Sequence, residues 1–269
     1  MTKVQLSGVR KVFGTFTAIE NIDLTIESGE LVALLGPSGC GKTTTLRMVA
    51  GLEAPTSGEI MFDDQDVSHL PVQDRNVGMV FQRYALFPHM TVEKNVAFGL
   101  SVRKTPKAEI EERLAEILDV VQLGGFRHRF PAQLSGGQMQ RVAIARTLIT
   151  KPSVLMMDEP LANLDTKLRG EMRRFIRDLQ QRFGITTIFV THDQVEAMEL
   201  ADRVAVIFDG HLAQYDTPDT LYRQPRSTDV ADFMGASNLF AARLAAPDRA
   251  ETVFGPLKVA PRADLQSGE

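Results

Sequence analysis

Short apolar runs, spaced along the chain, set its architecture. Leu31 to Leu35 reads LVALL, Val154 to Met157 reads VLMM, and Thr187 to Val190 reads TIFV. Runs of this length without polar alternation suit strands buried on both faces of a parallel sheet. Val204 to Phe208 extends the set, and Asp209-Gly210 predicts a hairpin turn into Leu212 to Tyr215. Nearer the N-terminus, Lys3 to Val9 and Ile22 to Ile26 are shorter apolar/polar stretches that suit an antiparallel sheet. Helical spacing appears in Ile110, Leu114, Ile117, Leu118 and Val121, behind Thr105-Pro106 and ahead of Gly124-Gly125. Leu168, Met172, Phe175, Ile176 and Leu179 form a second stripe. That stripe leaves Arg169, Arg173, Arg174 and Arg177 on what reads as a solvated face. After Gly235 the pattern changes to β-like pieces at Asn238 to Leu244, Thr252 to Phe254 and Leu257 to Val259.

The first apolar run ends in GPSGCGKTT, and Gly36, Gly41, Lys42 and Thr43 fit G-x-x-x-x-G-K-[ST]. Glycines let successive N–H groups curl into an anion nest, and the helix that follows adds about half a positive charge. Gly36, Pro37, Ser38, Gly39, Cys40, Gly41, Lys42, Thr43 and Thr44 are therefore expected to cradle a nucleoside triphosphate. Lys42 would reach the β- and γ-phosphates and Thr43 would ligand Mg²⁺. The positive potential also predicts an activated thiolate at Cys40. Asp158 and Glu159 emerge at the end of VLMM, where open α/β sheets bind ligands. Asp158 suits the metal, and Glu159 suits polarisation of an attacking water. His192 ends another predicted strand, and Gln82 follows a short one at Val80-Phe81, so both can join the same sheet edge. LSGGQ at Leu134 to Gln138 opens a helical pattern with two glycines and a hydroxyl, a second array of N-terminal donors.

In order, GPSGCGKTT, Gln82, LSGGQ, VLMMDEP, ANLD (Ala162 to Asp165) and THD resemble the ATP-binding subunit of an ATP-binding-cassette transporter, over roughly residues 3 to 235. The resemblance implies an α/β fold: a phosphate-loop domain with a parallel core sheet, an N-terminal antiparallel β subdomain and a helical insertion at about 88–150. It implies Glu159, His192, Gln82 and Lys42 as catalytic residues, and Thr43, Gln82 and Asp158 around Mg²⁺. Phe13 matches the position that stacks on adenine, although tyrosine or tryptophan is more familiar there. A head-to-tail homodimer is implied, in which Ser135, Gly136, Gly137 and Gln138 contact the partner subunit's ATP and Asp165 couples the two sites. Ala162 departs from the serine often found at the start of that loop. The implied partners are integral-membrane permease subunits and, indirectly, an external solute-binding protein, with no nucleic acid. That places the chain on the cytoplasmic face of the inner membrane. Tyr84 and Phe87, in an apolar stretch after Gln82, would anchor a permease helix in a groove.

Phe233-Met234-Gly235-Ala236-Ser237-Asn238 resembles the boundary of the OB-like domain found in importers of sugars, polyamines, iron and similar solutes, which implies an incomplete regulatory domain over 236–269. That resemblance leans towards polyamine or iron as the solute. A net charge of −4 disfavours a broad nucleic-acid surface, and the single cysteine rules out an intrachain disulfide. No run of 18 to 20 apolar residues occurs, and the N-terminus has no secretion-signal pattern. The competing function, a soluble cassette ATPase clamping DNA or ribosomes, would call for long coiled-coil arms or tandem cassettes; neither is seen here.

Overall fold

The computed structural model describes residues 2–235 and 238–259. These fall into two compact units that divide at Gln224 and Pro225. The first begins with the antiparallel hairpin β1 (Val4–Phe13) and β2 (Phe16–Ile26). It continues with β3 (Leu31–Leu35), α1 (Lys42–Ala50), β4 (Ser57–Phe62), β5 (Gln65–Asp66) and β6 (Val77–Val80). Three helices follow, α2 (Val92–Val102), α3 (Lys107–Val120) and α4 (Gly136–Leu148). Then come β7 (Val154–Asp158), α5 (Thr166–Phe183), β8 (Thr186–Thr191), α6 (Gln194–Leu200), β9 (Arg203–Phe208), β10 (His211–Asp216) and α7 (Pro218–Arg223).

Ten strands form one sheet in the order β5-β4-β1-β2-β10-β9-β3-β8-β7-β6. The strands β9, β3, β8, β7 and β6 run parallel to one another, β10 pairs antiparallel with β9 and parallel with β2, and β1, β2, β4 and β5 pair antiparallel among themselves. The α/β class with a parallel core and antiparallel N-terminal strands is thus the fold. Side chains alternate between two cores, one on each side of the sheet. Leu155 and Met157 of β7 join α2, α3 and α4 in one. Val154 and Met156 join Val32, Leu34 and α1 in the other. Burial on both faces explains why these strands carry no polar alternation. The stripe Leu114, Ile117 and Leu118 of α3 packs into the first core as its spacing predicts. Among the described residues no helix is long and apolar enough to cross a membrane.

The second unit holds α8 (Thr228–Phe233) and an antiparallel sheet of β11 (Ala242–Ala246), β12 (Arg249–Thr252) and β13 (Gly255–Lys258). One predicted β piece is corrected here: Val253 and Phe254 form a turn. Thr252 Oγ1 accepts the Phe254 N–H at 3.1 Å and donates to the Gly255 carbonyl at 2.8 Å, which closes the hairpin. Residues 236, 237 and 260–269 of the segment read as an OB-like domain lie outside the described residues.

Candidate active site

The phosphate loop joins β3 to α1, and its shape depends on close backbone packing. A Cβ on Gly36 would lie 2.2 Å from the Ile207 carbonyl oxygen and 2.7 Å from Cys40 Sγ. Gly41, at φ 108°, caps α1 and rests on Ile19 and the Ala18 carbonyl of β2. The hairpin turn between β9 and β10 supports the loop from below, with Gly210 N donating to the Cys40 carbonyl at 3.1 Å. Pro37, Ser38 and Gly39 stand exposed, while Thr43 and Thr44 sit half-buried in the first turn of α1. Buried Lys42 donates from Nζ to the carbonyls of Gly36 (2.7 Å) and Pro37 (2.8 Å), holding its ammonium inside the loop. The helix start supplies N–H groups with no intrahelical acceptor, so the cradle suits an anion.

Cys40 corrects the sequence expectation. Its side chain points beneath the loop into the second core and is 3% exposed. Burial pushes the thiol up from its ordinary value, outweighing the neighbouring Lys42 charge that acts to lower it. The same cation that was expected to activate the sulfur loses to desolvation.

At the end of β7 the carboxylates part company. Thr43 Oγ1 donates to Asp158 Oδ1 at 3.0 Å, so the two hard oxygen donors already face each other. Burial pushes the Asp158 carboxyl up, and the Glu159 charge adds to the shift. Glu159 takes a left-handed φ of 44°, a conformation costing about 1–3 kcal/mol in a non-glycine residue. Its carboxylate is bracketed: Gln82 Nε2 donates to Oε2 at 3.3 Å, and His192 Nδ1 lies 3.2 Å from Oε1. Residues from the ends of β6, β7 and β8 thus converge on one group. Thr43, Asp158 and Gln82 could hold Mg²⁺. Among the described residues no three His, Cys, Asp or Glu side chains cluster as a metal site. Mg²⁺ needs no such cluster, since it is held by one or two carboxylates with phosphate oxygens and waters.

Other candidates lie apart from that centre. Phe13 ends β1, 44% exposed, with Lys11 Nζ 4.6 Å from its ring centroid. Ser135 caps α4: its Oγ accepts the Gln138 N–H at 3.3 Å, and Gln138 Oε1 accepts the Ser135 N–H at 2.9 Å. That leaves the Ser135 hydroxyl hydrogen free to donate outward. Gly136 is half-buried and Gly137 is buried. Asp165 is exposed and caps α5 by accepting the Leu168 N–H at 3.0 Å. Tyr84 and Phe87 are half-buried, Tyr84 against the first core and Phe87 with its ring centroid 4.5 Å from that of Phe98. The adjoining cleft, about 400 Å³, is lined by Met90, Ala97, Phe98 and Leu114 among others.

Several residues at the site escaped the sequence reading. Asn163 Nδ2 donates to the Gln82 carbonyl at 2.8 Å. The α5 arginines are not merely solvated. Arg169 Nε donates to the Leu164 carbonyl at 3.0 Å and faces Asp193 at 3.8 Å, while Arg173 pairs with Glu199 and Arg177 with Asp202. They stand four residues apart on one face of α5, a spacing visible in the sequence, while their acidic partners come from distant segments. A cavity of about 40 Å³ nearby is lined by Glu159, Arg169, Thr191, His192, Asp193 and Glu196.

The ABC transporter family model matches residues 19–162. The Fe(3+) ions import ATP-binding protein FbpC of Photorhabdus laumondii is 55% identical over 242 residues, covering 90% of this chain and 69% of that protein. The sulfate/thiosulfate import ATP-binding protein CysA of Brucella melitensis is 54% identical over 246 residues, covering 90% and 68%. Among solved structures, cbiO1 from Clostridium perfringens, part of the ABC transporter complex cbiONQ, aligns with a TM-score of 0.77 at 28% identity. That alignment covers 86% of this chain and 98% of the other.

Proposed function

The chain belongs to the ABC transporter family as an ATP-binding import subunit, and from that premise we propose how its residues hydrolyse ATP and what they drive. The observation that carries the reading is the bracketed Glu159 carboxylate, held on one oxygen by Gln82 and on the other by His192. A carboxylate so placed, one residue beyond Asp158, is positioned to polarise a water for in-line attack on a γ-phosphoryl group. Lys42 exchanges the loop carbonyls for β- and γ-phosphate oxygens. With Nδ1 turned to Glu159, His192 keeps Nε2 for the γ-phosphate. Phe13 offers its exposed ring to adenine. Thr43, Asp158 and Gln82 would hold Mg²⁺, which would supply charge neutralisation at the phosphate oxygens.

Two copies associate head to tail, so that the outward Ser135 hydroxyl and the start of α4 complete the partner's ATP site, with Asp165 near the junction. Helix N-termini and hydroxyl donors suit a developing phosphate charge. The cleft beside Phe98 takes a helix of a membrane permease, which places the chain peripherally on the cytoplasmic face of the membrane. An external binding protein delivers the solute. Iron and sulfate importers match this chain almost equally well, which fits solute choice residing outside this subunit. A nucleotide-binding domain extends to residue 235, with a helical insertion at about 88–150, and a regulatory β domain begins at residue 236.

Affinity purification of the tagged chain from detergent-solubilised membranes tests the partner reading. Stoichiometric recovery of integral-membrane subunits is expected. Recovery with nucleic acid or ribosomes in their place would favour the clamp.

A further inference from the structure

From Phe81 to Thr91 the chain forms neither helix nor strand, yet side chains from three other segments hold its backbone. Asn163 takes the Gln82 carbonyl at 2.8 Å. Buried Asn95 of α2 accepts the Phe87 N–H at 2.8 Å and donates to the carbonyls of Phe87 and Met90, both at 3.0 Å. Between these two staples lie Tyr84 (φ 35°) and Ala85 (φ 50°), consecutive residues in the left-handed region that non-glycine residues avoid. Their carbonyls converge on one guanidinium: Arg146 Nη1 donates to the Ala85 oxygen at 2.7 Å and Nη2 to the Tyr84 oxygen at 3.1 Å. The same guanidinium carbon stands 5.7 Å from the Phe87 ring centroid. A planar fork suits two adjacent carbonyls, whereas a lysine ammonium is a single point. Arg146 projects from α4, the helix whose first turn Ser135 caps.

We propose that Arg146 is a positioning residue: by holding Tyr84 and Ala85 left-handed it aims Gln82 at Glu159 and ties that aim to the helix that starts within LSGGQ. The proposal rests on the reading that Gln82 and Glu159 act on ATP. Strain kept at a functional segment persists only where the surroundings over-determine it, and the Arg146 fork supplies that constraint.

Steady-state kinetics of the full chain with Mg·ATP test it. Arg146→Lys is expected to lower kcat about 10- to 100-fold with KM for ATP held within about twofold, as loss of alignment rather than of binding. Adding Ala85→Gly, which accepts the left-handed backbone without a Cβ penalty, should restore most of that kcat. The chain contains no tryptophan, so Phe87→Trp introduces a unique reporter beside the guanidinium. Its emission should shift to the red in Arg146→Lys and return when Ala85→Gly is added. Should Arg146→Lys fail to fold, Ala85→Val attacks the same backbone with Arg146 intact and should lower kcat alike. Unchanged kcat in Arg146→Lys, or in Ala85→Val, or no rescue by Ala85→Gly, overturns the proposal. Full turnover in Gln82→Ala and Glu159→Gln would instead defeat the underlying reading, while the emission shift and its reversal would still report the Arg146 hold.

Discussion

Gly137 of α4 and Leu168 of α5 meet so closely that a Cβ on Gly137 would stand 2.9 Å from Leu168 Cδ1. A glycine of LSGGQ therefore serves packing within its own subunit. A bulky residue there would push on the first core and disturb α5, whose cap is Asp165. Substitution at Gly137 would mix damage to the fold with damage to any shared site, so a clean probe of head-to-tail assembly must lie elsewhere.

Ser135 is that probe. It is exposed, and its side chain only caps α4. Aspartate caps a helix as well as serine does, so Ser135→Asp keeps α4 while presenting a negative charge to the partner's γ-phosphate. The variant should bind ATP as a monomer with affinity within about threefold of the parent and lose at least about 10² in turnover, since a stabilising donor at a phosphate is worth that much. Light scattering should show no ATP-driven dimer. An equal fall in monomer affinity would mean that Ser135 acts inside its own subunit.

Much of this arrangement was legible in the chain. Leu31–Leu35 and Val154–Asp158 announce buried parallel strands because both faces are covered, and Gly36 and Gly41 of the phosphate loop stand where a Cβ would strike Ile207 and Ile19 respectively. Contacts that depend on long-range pairing were not legible. Arg169 meets Asp193 only because β8 returns beside β7, and Arg146 meets the Tyr84 and Ala85 carbonyls only because α4 packs over the loop after β6. Cys40 misled for a related reason: proximity to Lys42 is visible in sequence, whereas the direction of its side chain into the core is not.

The buried thiol gives a direct test. With burial raising its pKa and 3% of its surface exposed, Cys40 should react with a maleimide at least about 10² more slowly than an exposed thiol, because thiolate fraction and access both fall. Mg·ATP should change that rate little, and unfolding should restore it. Mass spectrometry on this single-cysteine chain reads the incorporation. Rapid labelling of the native protein would contradict the packing described here.

Glu196 links stability to pH. It is 4% exposed, and burial pushes its carboxyl above the ordinary value against the opposing hydrogen bond from Thr191 Oγ1 at 2.6 Å. A raised folded-state value means that the native chain holds this proton more tightly than the unfolded chain. The contribution of this group to stability is therefore present at low pH and lost as pH rises through the raised value. Glu196→Gln keeps an acceptor for Thr191 and removes the charge. Its melting midpoint should exceed that of the parent at pH 8, with the gap closing towards pH 4.5. A gap that is constant with pH, or a parent that is more stable at pH 8, would contradict the assignment.

In the proposed mechanism Glu159 polarises the attacking water while Gln82 and His192 hold its two oxygens. Single-turnover hydrolysis by Glu159→Gln measures it most directly. Nucleotide affinity close to that of the parent, a γ-phosphate cleavage rate lower by about 10² to 10⁴, and accumulation of an ATP-bound dimer are expected. Cleavage at close to the parental rate, with ATP bound and the fold intact, would contradict that mechanism.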